Sequence, residues 1–323
     1  MKLVKSNKFI VLYNFVWFLL TPVIPLWLCY RVFRGLEEKS RIKERYGFPS
    51  LEKNKSGKLI WIHVASLGES VSASALSKGL RENGYKGQIL ITSGSKTSGN
   101  YLNKNTDIIH QYHPYDKSNW VNRFLKFWEP DVLIMMESEI WPNFILNSKH
   151  AGIPVIMVSA QISKKSFRRL KFLGLKNTKY IFEKFDIILT IDEMQTKIFK
   201  RLGAKNVSTS ETLKASFPPQ PPNKELLEIL KHNHPNKTII LAASTHDGEE
   251  EILLNCFKKL NRNNFNTLLI IAPRHIERAK KISGLHGLNI KLKSKGEFPQ
   301  IDDQYWICDT YGEMATLYSI ADI

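Results

Sequence analysis

From Lys58 onward the sequence alternates short apolar runs, too brief to be helices, with amphipathic segments. This alternation confines the chain to βαβ units built on parallel sheets. The runs Leu59–Val64, Gln88–Thr92, Ile108–Tyr112, Val132–Met136, Val155–Val158 and Ile187–Ile191 carry almost no polar alternation. They read as strands buried on both faces. Between them, Trp120, Val121, Phe124, Leu125 and Trp128 form an apolar helical stripe that ends at Glu129-Pro130, where proline stops the helix. A later helix runs through Leu202 and is terminated by Gly203, followed by strand-like Ser208–Leu213.

The segment Ser216–Asn223 holds four prolines in eight residues, which excludes a helix or central strand and marks a stiff connection. After it the alternation restarts: strand Thr238–Ala243, helix Glu249–Leu260, strand Thr267–Ala272, helix Ile276–Ile282, strand Tyr305–Cys308, helix Gly312–Ile320. The final Ala321-Asp322-Ile323 reads as entry to another strand. Three segments follow: 1–35, an apolar N-terminal anchor; 36–215, one Rossmann-like domain; and 216–323, part of a second.

Phe9 to Tyr30 is 22 residues without a charge, and one helix of that length would cover roughly 33 Å, enough to reach across a bilayer. Pro22 and Pro25 would kink such a helix, so a monotopic hairpin or tilted anchor stays open beside a span. Arg31, Arg34, Lys39, Arg41, Lys43 and Arg45 follow it and outnumber Lys2, Lys5 and Lys8 before it, which places the body on the cytoplasmic side. Removing residues 1–30 is then expected to leave the body folded.

The net charge of +17 predicts attraction to something anionic: nucleic acid, an acidic membrane or a phosphorylated substrate. No zinc finger, helix-turn-helix or RNP aromatic pattern is present, which argues against nucleic acid. Cys29, Cys256 and Cys308 lack paired spacing, H-E-x-x-H is missing, and neither a P-loop nor G-x-G-x-x-G occurs.

Chemistry concentrates after strands. Glu69 falls in the first helical turn after Leu59–Val64, where a carboxylate can take a proton from a bound hydroxyl; Ser66 three residues earlier also makes it half of a capping box. Glu137 and Glu139 leave the strand Val132–Met136, projecting to the same side, either to engage hydroxyls or a cation or to cap the helix that follows. Lys214, Pro273-Arg274 and Thr310-Tyr311-Gly312-Glu313 lie at strand ends or the domain edge and suit a phosphate, the last by opening a helix. His63, inside an apolar strand, reads as a core histidine.

The blocks HVASLGES (63–70), ITSGSKTSG (91–99), HPYD (113–116), MMESEIWPN (135–143), LKAS (213–216), AASTHDGEEE (242–251), APRH (272–275) and DTYGEM (309–314) together resemble the 3-deoxy-D-manno-octulosonic acid (Kdo) transferases of lipopolysaccharide synthesis. The resemblance implies an inverting GT-B glycosyltransferase at the inner membrane, acting on its cytoplasmic face. It would move Kdo from CMP-Kdo to the lipid A precursor without a metal or other cofactor. It further implies Glu69 as general base, transition-state roles for Glu137 and Lys214, and donor contacts from Pro273, Arg274, Tyr311, Gly312 and Glu313. This sequence has Ala215-Ser216 where the family lysine precedes an aromatic and an acidic residue. The family also continues past Ala-Asp into a Gly-Gly-His-Asn…Glu donor segment, so the second domain is expected to be incomplete. A truncated, inactive binder of lipid A precursor and another sugar-nucleotide transferase or epimerase remain the alternatives.

Overall fold

The computed structural model describes residues 7–52, 57–172, 174–210, 213, 221–261 and 266–323. Lys214 and most of the proline-rich connection lie outside the described residues. The chain divides into two compact units, Met1–Phe217 and Pro218–Ile323.

Among the described residues the first unit holds seven parallel strands: β1 (Leu59–Val64), β2 (Gln88–Ser93), β3 (Ile109–Tyr112), β4 (Val132–Met136), β5 (Val155–Ala160), β6 (Ile187–Thr190) and β7 (Val207–Thr209), in the order β3-β2-β1-β4-β5-β6-β7. Most of the apolar runs are strands because they bury both faces between helices; β1 is buried at every position but Ile60, whereas β6 leaves Ile187 exposed. The stripe Trp120, Val121, Phe124, Leu125 and Trp128 is buried along the helix Ser118–Trp128, which ends with Glu129 in the left-handed conformation. Burying each such large side chain contributes about 1.5–3 kcal/mol. Gly203 ends the helix Glu193–Leu202 at φ +105°, and a Cβ there would come within 2.6 Å of the Lys179 backbone.

The order reverses between β1 and β4: the chain builds outward from β1 through β2 and β3, then returns to β1's other side. In open parallel sheets the crevice outside the strand C-termini at this point receives ligands.

The apolar N-terminus is two helices, Lys8–Leu20 and Ile24–Phe33, bent by 62°. This corrects the expectation of one anchor helix: among the described residues no single helix is long and apolar enough to cross a membrane. Pro25, in the first turn of the second helix, restarts the chain in a new direction. The pair also packs on its own unit, with Phe9 and Ile10 against the main core and Ile24, Leu28 and Trp17 around Trp120. Two of the basic residues after it are not a solvated flank. Arg45 is 1% exposed and pairs with Glu37, while Arg41 pairs with buried Glu44.

The second unit carries β8 (Thr238–Thr245), β9 (Thr267–Pro273) and β10 (Tyr305–Ile307), parallel, in the order β10-β9-β8. Ala321–Ile323 runs beside β8: the Asp322 amide donates to Ile239 O at 2.9 Å and the Leu241 amide to Ile323 O at 2.8 Å. The expected helix Ile276–Ile282 is a 3-10 turn, Ile276–Arg278, followed by a short helix, Ala279–Ser283. The expected helix from Gly312 begins at Met314, because Gly312 turns the chain at φ +93°.

Candidate functional site

Glu69 stands where β1 gives way to the helix Leu67–Glu82. Ser66 caps that helix, its hydroxyl accepting from the Glu69 amide at 3.2 Å and facing the Glu69 carboxylate at 3.1 Å. The other carboxylate oxygen accepts from the Ala65 amide at 2.9 Å, one residue before the position a capping box normally reaches. Capping therefore uses only part of the carboxylate's acceptor capacity, which extends to about four lone-pair positions. Burial pushes the carboxyl up to about 7, opposed by the Ala65 amide and reinforced by the charges of Glu139 and Glu137.

Those two acids leave β4. Parallel pairing sets His63 beside Met135, so the segments leaving β1 and β4 emerge side by side at the reversal of strand order. Glu137 has φ +53°, a conformation that costs a non-glycine residue of order 1–3 kcal/mol and is found disproportionately at functional sites. It is fixed by the Glu137 amide donating to Val158 O at 3.0 Å and by Gln161 Nε2 donating to its carboxylate at 3.0 Å. Glu139 accepts from Trp141 Nε1 at 2.6 Å, and burial, with Glu137's charge behind it, raises its pKa. Three mutually repelling carboxylates thus converge at one strand-end crevice, which suits hydroxyl deprotonation beside a centre of developing positive charge.

Behind them His63 is fully buried, with Nδ1 at 3.0 Å from the Thr92 hydroxyl and the ring packed against His113 and Phe144. Burial pushes it down to about 3, so it is a neutral core histidine, as its place in the strand implied. Two supports escaped the sequence reading. Asp116 caps the helix Pro142–His150 from another element, accepting from the Asn143 and Phe144 amides at 3.0 and 2.9 Å and from the Tyr13 hydroxyl at 2.8 Å. Arg45 donates to Gly94 O at 2.8 Å and His113 O at 3.2 Å, fixing the ends of β2 and β3. Both belong to charged pairs or caps formed across long sequence separations, which spacing cannot show. Asp116's place inside HPYD was the available signal.

In the second unit Pro273-Arg274 ends β9, where the Arg274 amide donates to Thr245 O at 3.0 Å and the side chain is exposed. Tyr311, Gly312 and Glu313 follow β10, the parallel neighbour of β9, at the same end of the sheet. Glu313 pairs with Lys293 at 2.8 Å. Gly312 stands in a turn, and the helix expected to open there begins two residues later at Met314, with Glu313 at its N-cap position.

A family model described as "3-Deoxy-D-manno-octulosonic-acid transferase (kdotransferase)" matches residues 40–217. A relative named 3-deoxy-D-manno-octulosonic acid transferase, from Rickettsia bellii, is 33% identical over 97% of this chain and 75% of its own length. One of the same name from Rickettsia felis is 32% identical over 84% of this chain and 60% of its own length. Among solved structures, a UDP-GlcNAc 2-epimerase from Neisseria meningitidis bound to UDP-GlcNAc superposes with a TM-score of 0.56 at 12% identity, covering 82% of this chain and 76% of the other. At that identity the likeness is one of fold.

Proposed function

The chain belongs to the Kdo transferases, a glycosyltransferase family, and we propose that it moves Kdo from CMP-Kdo to a hydroxyl of the lipid A disaccharide precursor, with inversion, on a GT-B scaffold. The observation that supports this reading is the meeting of the Glu69, Glu139 and Glu137 carboxylates where the strand order reverses, with burial raising Glu69 to about 7.

In the reaction the Glu69 carboxylate takes the proton of the acceptor hydroxyl as its oxygen bonds to the anomeric carbon of Kdo. The bond from that carbon to the CMP phosphate breaks, and the electron pair leaves with CMP. Glu137 faces the positive charge that builds on the sugar, and Lys214 answers the negative charge on the departing phosphate. CMP is already a good leaving group, so positioning and a base supply most of the acceleration. Pro273, Arg274, Tyr311, Gly312 and Glu313 hold the CMP part of the donor. The bent N-terminal pair rests on the cytoplasmic face of the inner membrane, where the acceptor lies.

The test is to incubate the purified protein with CMP-Kdo and lipid A precursor and to weigh the product. A gain of one or more Kdo units, abolished by Glu69→Gln with the melting curve unchanged, is the expected result. No transfer by wild-type protein that binds both substrates would sink the reading.

A further inference from the structure

Beside the carboxylates lies a pocket of about 310 Å³ bounded by Ser138, Gln161, Ile162, Ser163, Ser166 and Gln195. Five of these six side chains end in a hydroxyl or an amide, groups that both donate and accept hydrogen bonds. The pocket is joined to the proposed chemistry twice, since Ser138 separates Glu137 from Glu139 and Gln161 donates to the Glu137 carboxylate at 3.0 Å. Gln195 sets its wall, accepting from the Ile162 amide at 2.8 Å. Ser159, the penultimate residue of β5, also has a positive φ, +50°, so strained backbone stands at the C-terminal ends of two adjacent strands.

One wall is the start of the helix Lys164–Phe172, whose sequence is KKSFRRLKF. Phe167 and Leu170 pack on the core, which leaves Lys164, Lys165, Arg168, Arg169 and Lys171 exposed. No Asp or Glu occurs from Lys164 to Phe182, so nothing on this stretch neutralises them. Arg169 is three residues after Ser166 and four after Lys165, which makes the three neighbours on one helical face.

We infer that this pocket is the subsite for a phosphorylated sugar ring of the acceptor, its hydroxyls and amides taking the sugar and Lys165 and Arg169 taking the phosphate. The volume is at the lower end of small-molecule pockets, about 300–1,000 Å³, and suits a single ring. The inference rests on the acceptor reading above and names which part of the acceptor this unit recognises.

The experiment measures binding by the full chain, without donor, of a deacylated bisphosphorylated glucosamine disaccharide, of the same disaccharide without phosphate, and of phosphatidylglycerol vesicles. Wild-type protein is expected to prefer the phosphorylated disaccharide. Lys165→Glu/Arg169→Glu should weaken that binding at least tenfold while leaving the weaker binding of the unphosphorylated form unchanged, and Ser166→Leu should weaken both. The charge-reversal pair is exposed, so it keeps the test decisive if Ser166→Leu fails to fold. Equal affinity across wild type and variants, or binding of vesicles alone, would overturn the inference. Failure of the acceptor reading looks different: no Kdo transfer, with disaccharide binding intact. If only this subsite is wrong, transfer proceeds and the charge reversal leaves the acceptor KM as in wild type.

Discussion

Glu69 closes a helix start with its carboxylate, and burial raises that group to about 7, which suits the base role proposed for it. As the proposed general base it would work only when ionised, so kcat/KM should rise with pH through about 7 and fall tenfold per unit below it. Glu139→Gln removes one of the charges that raise Glu69 yet keeps an acceptor for Trp141, so the acid limb should move to lower pH. A limb that stays put in this variant would uncouple the two acids. Glu69→Gln should cost about 10²–10⁴ in rate, read by initial velocities. The place of Glu69 was legible because its capping partner is three residues away. That Glu139 shares its field was not, because the two meet through the adjacency of β1 and β4, whose starting residues Leu59 and Val132 are 73 positions apart with two strands between them. The positive φ of Glu137 had no sequence mark either, since no glycine stands there. Lys214 lies outside the described residues, so its role rests on the resemblance.

At the scale of elements, sequence reading succeeds where one segment decides its own structure. Uncharged runs of four to six residues became strands because most are covered on both faces, and the Trp120 stripe became a helix face because its period matches 3.6 residues per turn. It fails where an element is finished by a distant one. The helix Pro142–His150 has no cap of its own, and Asp116 supplies it while also holding Tyr13 of the N-terminal helix. Asp116→Ala should therefore cost more than an ordinary cap, about 1–2 kcal/mol, because it also strands the buried amides, at about 1–3 kcal/mol. At roughly 2–4 °C per kcal/mol the melting temperature should fall by several degrees, and Asp116→Asn, which keeps one acceptor, should fall less. Equal melting of the alanine variant and wild type would show that this cap carries no stability.

For the whole molecule, the N-terminal pair belongs to the first unit as well as facing outward. Its inner face is buried, with Leu28 1% and Ile24 7% exposed, whereas Phe18 is 66%, Leu26 73% and Phe33 85% exposed. An outward apolar surface of this extent marks an interaction site, and a membrane surface is the partner proposed above. Composition revealed the uncharged stretch but could not divide it into two faces, because both are apolar. That division reverses the expectation for removing residues 1–30: the deletion would uncover Trp120 and take Tyr13 from Asp116, so it should lower the melting temperature as well as membrane binding. Leu26→Glu/Phe33→Glu separates the two effects, since both side chains point away from the body. Co-sedimentation with vesicles should drop at least tenfold while the melting curve stays that of wild type. Residual binding that disappears at high salt would then come from exposed cations such as those of the helix Lys164–Phe172, because surface charges are screened within about 10 Å at 0.1 M salt. Wild-type vesicle binding by the double variant at high salt would remove the N-terminal pair from any membrane role and leave it as a helical brace of the first unit.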